Sequence, residues 1–358
     1  MGAIDKFRID SHKLMFHPRR VAQWLDGEDV YPIYVEISPT GACNQRCTFC
    51  ALDYVGYPVR SLDTTLLMER LSEMGRLEVK SVMFGGEGEP LLHPDLADIV
   101  NHAKRAALDV ALTTNGTLLR CDLFRQMAAS LSWVKVSINA GTAATYAKLH
   151  RTSAQQFDAV LDNLAKAVAI RTELGSSCTI GAQLILLPEN AAEMEILARR
   201  VREIGIDYLV VKPYSQHHKS ITREYEPFDS SPYLESADRL QCLNDDRFKF
   251  VFRSNAFSKA DRTQDGYELC QALPFWSYID SGGAVWGCSS HIGDQRFCFG
   301  TLGEQSFEQI WNGARRSSLM SAMSDGFDLA GCRTNCRMDE SNRYLWELSH
   351  PAHHVNFI

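Results

Sequence analysis

The sequence predicts an α/β chain: a parallel sheet with helices outside it, followed by a small C-terminal module of α+β character. Three observations carry this reading. Between Tyr31 and Ser215, six short apolar runs alternate with longer amphipathic stretches. After Ser215 that rhythm breaks. The chain of 358 residues is 45% hydrophobic, which excludes intrinsic disorder and exceeds one ordinary domain of ~150 residues.

Residues 1–30 form an N-terminal extension, and residues 31–215 carry the repeating units. The apolar runs are Ile33–Ile37, Val79–Phe84, Val110–Thr114, Trp133–Ile138, Thr179–Ile185 and Tyr208–Val211. They are short, rich in branched or aromatic residues, and soon followed by Gly, Pro, Asn or Ser, as strands ending in loops should be. Helical spacing lies between them. Leu67, Leu71 and Met74 share a face after a candidate cap at Asp63, and Met194, Leu197, Val201 and Ile204 do so after Asn190, with Glu193 placed as in a capping box. Units of this kind in series give either a partial barrel or a doubly wound sheet, and both carry sites on loops at the carboxyl ends of strands. Residues 216–247 read as a connecting segment. Residues 248–358 read as the module, with strand-like pieces at Phe248–Phe252, Phe275–Ile279 and Val285–Cys288 and a helix near Phe307–Asn312.

The formal net charge of −7 argues against nucleic acid or an anionic membrane surface as partner. Met1–Lys13 has no apolar core of a signal peptide, and runs such as Leu184–Leu187 fall far short of the ~20 residues of a membrane span. A soluble, cytoplasmic protein is expected. Eleven cysteines in such a chain are not expected to form a disulfide framework. Cys121, Cys178 and Cys242 stand alone and read as small buried hydrophobes, with the other eight in two clusters.

The first cluster, Cys43, Cys47 and Cys50, follows the first strand as C-x3-C-x2-C. A loop this tight points three thiolates at one centre, suited to zinc or to an iron–sulfur cluster. With no fourth ligand close by, a four-iron cluster here keeps one iron open for chemistry.

This motif, with Phe49 beside the third cysteine, resembles the signature of the radical S-adenosylmethionine (SAM) superfamily. The resemblance implies a partial (β/α)6 barrel, and a [4Fe-4S] cluster whose open iron is chelated by SAM. It also implies cleavage of SAM to a 5′-deoxyadenosyl radical that abstracts a substrate hydrogen, with the electron from a donor such as flavodoxin or ferredoxin. Carried over residue by residue, Gly85 and Gly86 with Glu87 or Glu89 match the stretch that binds the SAM amino group, two phasings being possible. Asn115 lies in a Thr-Thr-Asn-Gly stretch typical of the family. Ser137 and Asn139 match positions that contact ribose or carboxylate, and Gln183 lies in a degenerate adenine motif.

The second cluster comprises Cys270, Cys288, Cys298, Cys332 and Cys336. Four thiolates suit a structural zinc or a closed iron–sulfur cluster equally well. The spacing resembles the shortened auxiliary-cluster module (twitch, a truncated SPASM) of some radical SAM enzymes, most of all 2-deoxy-scyllo-inosamine dehydrogenase. It implies a second [4Fe-4S] cluster on Cys270, Cys288, Cys332 and Cys336, leaving Cys298 spare. The late pair is C-x3-C where that enzyme has C-x2-C. The whole is then an α/β chain, a partial (β/α)6 barrel with a small C-terminal α+β iron–sulfur module.

Two clusters imply a division of labour in which one generates a radical and the other accepts the electron that remains. The main expectation is oxidation of an alcohol on a small polar substrate: a sugar, cyclitol or nucleoside. Lys212, Tyr214 and His217 follow the sixth strand and are the candidates to meet the substrate or move its proton. Only ~30 residues precede the first strand, few for a leader-peptide domain, which sets peptide modification second. Redox-neutral elimination, epimerisation or decarboxylation is a further rival. An electron carrier or zinc-stabilised binding protein is the non-enzymatic one.

Overall fold

Short runs rich in Val, Ile and Leu build the first six strands of one sheet: β1 (Tyr34–Ile37), β2 (Ser81–Phe84), β3 (Asp109–Thr114), β4 (Leu131–Ser137), β5 (Thr179–Leu186) and β6 (Tyr208–Pro213). The structure, a computed structural model, describes residues 7–225, 229, 231–259, 266–333 and 335–357. The six strands are parallel and lie side by side in chain order. That order decides between the two α/β alternatives. A doubly wound sheet reverses direction at a switch point, whereas crossovers of one hand without reversal put every helix on one face and curl the sheet into part of a barrel.

Alternation along the strands separates the faces. Val82, Phe84, Val110, Leu112, Val134, Val136, Ile180 and Leu184 are buried in one core with the helices. Thr113, Ser137, Gln183 and Lys212 line the inner cavity. Gly181 permits a close approach there, since a Cβ on it would lie 2.1 Å from Cζ of Tyr208.

The helices around the barrel are α1 (Pro18–Leu25), α2 (Thr64–Arg76), α3 (Leu96–Arg105), α4 (Cys121–Met127), α5 (Ala143–His150), α6 (Gln155–Glu173) and α7 (Met194–Ile204). Asp63 caps α2 as predicted, accepting from the Leu66 N–H at 2.8 Å. The capping box expected at Asn190 and Glu193 does not form. Glu193 reaches instead to the start of α5, accepting from the N–H groups of Gly141 (2.8 Å) and Thr142 (3.0 Å), where orphan donors need an acceptor. Asn190 donates to the carbonyls of Asn139 and Ile185. Of the lone cysteines, Cys178 is buried, but Cys121 and Cys242 are exposed. Cys121 opens α4, and Cys242 sits in the middle of a short 3-10 turn, neither under a packed face.

Residues after 215 do not make a sheet of their own. The segment 216–247 contains a helix, α8 (Leu234–Leu240). Strand β7 (Lys249–Phe252) extends the barrel beyond β6, and α9 (Ser254–Ser258) follows it. Strand β8 (Trp276–Ile279) pairs parallel with β1, and the antiparallel β9 (Ala284–Trp286) and β10 (Cys298–Thr301) complete ten strands. Helices α10 (Phe307–Trp311), α11 (Ala314–Ser324) and α12 (Asp339–Ser349) close the chain. Buried Glu73 of α2 caps α10 by accepting from Phe307 (3.0 Å) and Glu308 (2.9 Å) N–H groups. The N-terminal Leu14, Val21 and Val30 share a small core with Ala272, Phe275 and Leu345. Among the described residues, no helix is long and apolar enough to cross a membrane.

Candidate active site

The loop that leaves β1 is pinned at both ends. The Glu89 N–H donates to the Ala42 carbonyl at 2.7 Å, and the N–H groups of Arg46 and Thr48 donate to the last carbonyls of α5, those of His150 and Leu149. Gly88 is at φ +74°, and a Cβ there would lie 2.3 Å from the Thr40 carbonyl oxygen, so the loops after β1 and β2 meet only because this residue is glycine.

Cys43, Cys47 and Cys50 face one another within this frame. Burial pushes the Cys43 thiol up to about 11, and burial together with the charges of its two neighbours pushes Cys47 well up. Burial pushes Cys50 up too. Cys47 Sγ lies 3.3 Å from His150 Nδ1, and the same nitrogen is 2.8 Å from the Gln45 side-chain oxygen. His150 Nε2 lies 2.8 Å from the Ile138 carbonyl. This buried imidazole, pushed down to about 4 by burial, and the buried Gln45 were not foreseen from the sequence. An isolated His carries no spacing signal.

Of the five later cysteines, four converge. Burial, then the charges of Cys288, Cys270 and Cys332, push the Cys336 thiol upward; burial and then Cys288 push Cys270 up to about 11. Asn342 of α12 donates to Cys270 Sγ at 3.6 Å, and the Met338 N–H to Cys336 Sγ at 3.4 Å. Cys298 stands apart. Its thiol is directed at the Gly300 carbonyl (3.9 Å) within β10, and no other cysteine is among the groups that act on it most.

A cavity of about 360 Å³ runs between the two sets, lined by Cys43, Cys47 and Cys50 on one side and Cys336 on the other. Its wall comes from the carboxyl ends of β3 to β6, the place predicted for a parallel sheet.

Comparison with known proteins matches residues 37–201 to the Radical SAM superfamily and residues 270–337 to SPASM, an iron–sulfur cluster-binding domain. The chain is built of a radical SAM domain and a SPASM domain. A relative from Pyrococcus furiosus, the tungsten-containing aldehyde ferredoxin oxidoreductase cofactor-modifying protein, is 29% identical over 183 residues, covering 50% of each chain. The chain thus spans about half the length of that relative. The mycofactocin maturase MftC of Mycobacterium tuberculosis is 23% identical over 328 residues, 88% of this chain and 78% of that one. In fold, the chain is similar to Streptococcus suis SuiB, solved bound to the precursor peptide SuiA, with a TM-score of 0.65, 17% identity, and coverage of 84% and 69%. The finer resemblance to 2-deoxy-scyllo-inosamine dehydrogenase is not supported by these relatives.

The radical SAM domain implies a [4Fe-4S] cluster and SAM, and the SPASM domain implies auxiliary iron–sulfur ligation. The donor sets fit: buried thiols that raise one another's pKa need metal cations to become thiolates together. Among the described residues, no three His, Cys, Asp or Glu side chains are set to hold a single metal ion. Thiol-only donor sets suit iron–sulfur clusters, in keeping with the two matched domains.

The other predicted residues divide. Phe49, Gly86, Glu89, Asn115, Ser137 and Gln183 line the cavity, as do Lys212 and Tyr214. Glu89 is buried and accepts from Thr114 Oγ1 (2.6 Å), Asn115 N (2.8 Å) and Leu91 N (3.1 Å); burial pushes its carboxyl up against those bonds. Glu87 turns elsewhere, accepting from the Ser281 N–H at 2.6 Å, and is not part of the wall. Gly85 and Asn139 also lie outside it. Asn139, at φ +54°, accepts from the Ile185 N–H, and its side-chain nitrogen is buried without a partner among the described residues. His217 is buried behind the wall, stacked between Tyr54 (5.0 Å) and His218 (4.6 Å), with burial pushing it down to about 4. Arg253, Lys259, Arg333 and Arg337 line the cavity and were missed, because a single basic residue carries no spacing signal of its own.

Proposed function

We propose that the enzyme oxidatively modifies a peptide, with the SPASM cluster as electron acceptor. The cavity carries the redox part of this reading: one space is walled by the first cysteine set and by Cys336 of the second, so a substrate lying there is close to both. The peptide part is supported by the likeness to a maturase along 88% of the chain. Alcohol oxidation on a sugar or cyclitol was the first expectation, and the likeness to a maturase favours a peptide over it.

In this reading Cys43, Cys47 and Cys50 hold the first cluster, and Cys270, Cys288, Cys332 and Cys336 hold the second. When bound, these groups and SAM supply a 5′-deoxyadenosyl radical to take hydrogen from a substrate carbon and a nearby site to take the remaining electron. Glu89 holds the SAM amino group, helped by the close backbone at Gly86 and Gly88. Ser137 and Gln183 face its nucleoside, and Phe49 shields the thiolate loop from water. Lys212 and Tyr214 meet the substrate, whereas His217 supports the wall from behind. A reductant is needed, and flavodoxin or ferredoxin fits that need. A reducing, cytoplasmic setting suits eleven cysteines of which none is paired.

The test is an anaerobic assay of the reconstituted enzyme with SAM and dithionite against a peptide pool and a panel of polyols and nucleosides. Peptides should raise 5′-deoxyadenosine formation and leave a product lacking a pair of hydrogens. Stimulation by a polyol but by no peptide would overturn the reading.

A further inference from the structure

The cavity carries charge of one sign. Its wall presents Lys212, Arg253, Lys259, Arg333 and Arg337 against one carboxylate, Glu89, which accepts from Thr114 and Asn115 and is assigned above to the SAM amino group. Three of those cations are answered from behind: Arg337 by Glu36, Arg253 by Asp10 at 3.4 Å, and Lys259 by Asp339 at 2.8 Å. Among the described residues, Arg333 bonds neutral oxygens of Ser215, its Nε 3.0 Å from the hydroxyl. Lys212 forms no ion pair among the described residues, and the charges that act on it most, after burial, are those of Lys135, Arg253, Arg333 and Arg337. All of them are cationic.

Lys135 deepens this polarity. It shares the inner face of β4 with Ser137, and its Nζ sits 5.5 Å from the Trp133 ring centroid. Burial, then Arg337 and Arg253, push it down to about 8, against the pull of Glu36. The arginines have a second use, since Arg333 lies near the Cys336 thiol and Arg337 near that of Cys288. No thiol is among the groups acting most on either lysine. Two inward lysines in like-charged surroundings are unfavourable until an anion joins them.

We propose that Lys212, backed by Lys135 and joined by Arg333, forms a carboxylate-binding subsite, so that the substrate peptide docks through an acidic group. This rests on the peptide reading above and adds its chemical class. Carboxylate is the anion a peptide carries without modification, either on an acidic side chain or at its C-terminus.

Calorimetry on the reconstituted full chain separates these sources with four probes. N-acetylglutamic acid α-amide offers only a side-chain carboxylate, N-acetylleucine only a terminal one, and N-acetylglutamine amide neither; inorganic phosphate is the fourth. One of the two carboxylates should bind, with the neutral amide roughly tenfold weaker or worse. Affinity should fall as pH rises from about 7 to about 9, because Lys135 loses its proton there and its facing groups Arg337, Arg253 and Lys212 remain or become no more positive. Lys212→Met should weaken binding roughly tenfold and Lys212→Arg should restore it, with iron content as the folding control. Should Lys212→Met fail to hold its iron, Lys135→Met takes its place with the same expectation. Equal binding of the neutral amide, wild-type affinity in the Met variant, or phosphate binding tighter than both carboxylates would each overturn the subsite. A peptide modified without regard to its acidic groups would sink the subsite alone. A carboxylate bound through Lys212, with no peptide ever modified, would sink the peptide reading and leave the subsite standing.

Discussion

Glu87 and Glu89 lie two residues apart on one glycine-rich loop, and spacing alone gives no preference between them. The structure separates them by what each carboxylate faces. Glu89 accepts from Thr114 and Asn115 and still borders the cavity, and an ionised carboxylate has a lone pair left for an ammonium group. Glu87 is directed at Ser281. Glu89→Gln should therefore weaken SAM binding by about 10–100-fold, the range for a lost charge-assisted hydrogen bond, whereas Glu87→Gln should leave it within about twofold. Equilibrium dialysis of labelled SAM on the reconstituted variants measures both. The cysteine motif was legible at this scale because its chemistry is local: three thiolates on one loop need no distant partner. Lys212 and His217 were named from position after a strand, and Asn139 from the family resemblance. Only packing distinguishes the one that reaches the cavity from the two that do not.

At the scale of elements, strands read well because alternation and branching are written into each run. Caps read less well. Asp63 begins its own helix, but Glu193 serves the neighbouring α5 and Glu73 serves the distant α10, because a buried carboxylate satisfies whichever orphan N–H groups stand nearest in space. Glu73→Ala leaves the Phe307 and Glu308 N–H groups without that acceptor and should cost about 2–4 kcal/mol, read from the denaturant midpoint at unchanged slope. Because α10 belongs to the C-terminal residues and α2 to the barrel, the loss should also raise hydrogen exchange along α10 before the barrel strands open.

Across the whole molecule, both edges of the barrel sheet are extended by residues after 247: β7 beside β6, and β8 beside β1. This closure carries Cys288 and the Cys332–Cys336 loop to the mouth of the barrel, where Cys336 meets the cavity. The reconstituted protein should hold about eight irons, falling by about half in the Cys332→Ala, Cys336→Ala double variant. That variant should still cleave SAM but accumulate no oxidised product. Full product yield from it would exclude the SPASM cluster as electron acceptor.

By itself, the sequence determined the α/β class, the six barrel strands and the two thiol sets, since each rests on periodicity or on spacing within a short stretch. Periodicity alone could not separate a barrel from a doubly wound sheet, because strand order depends on which edges pair in space; the barrel was implied by the resemblance of the cysteine motif. Nor could the sequence show the cationic wall of the cavity, whose members lie on β6, beside β7 and on the last cysteine loop. Charges far apart along the chain acquire a common field only once the sheet curls, and that was decided by the tertiary structure alone.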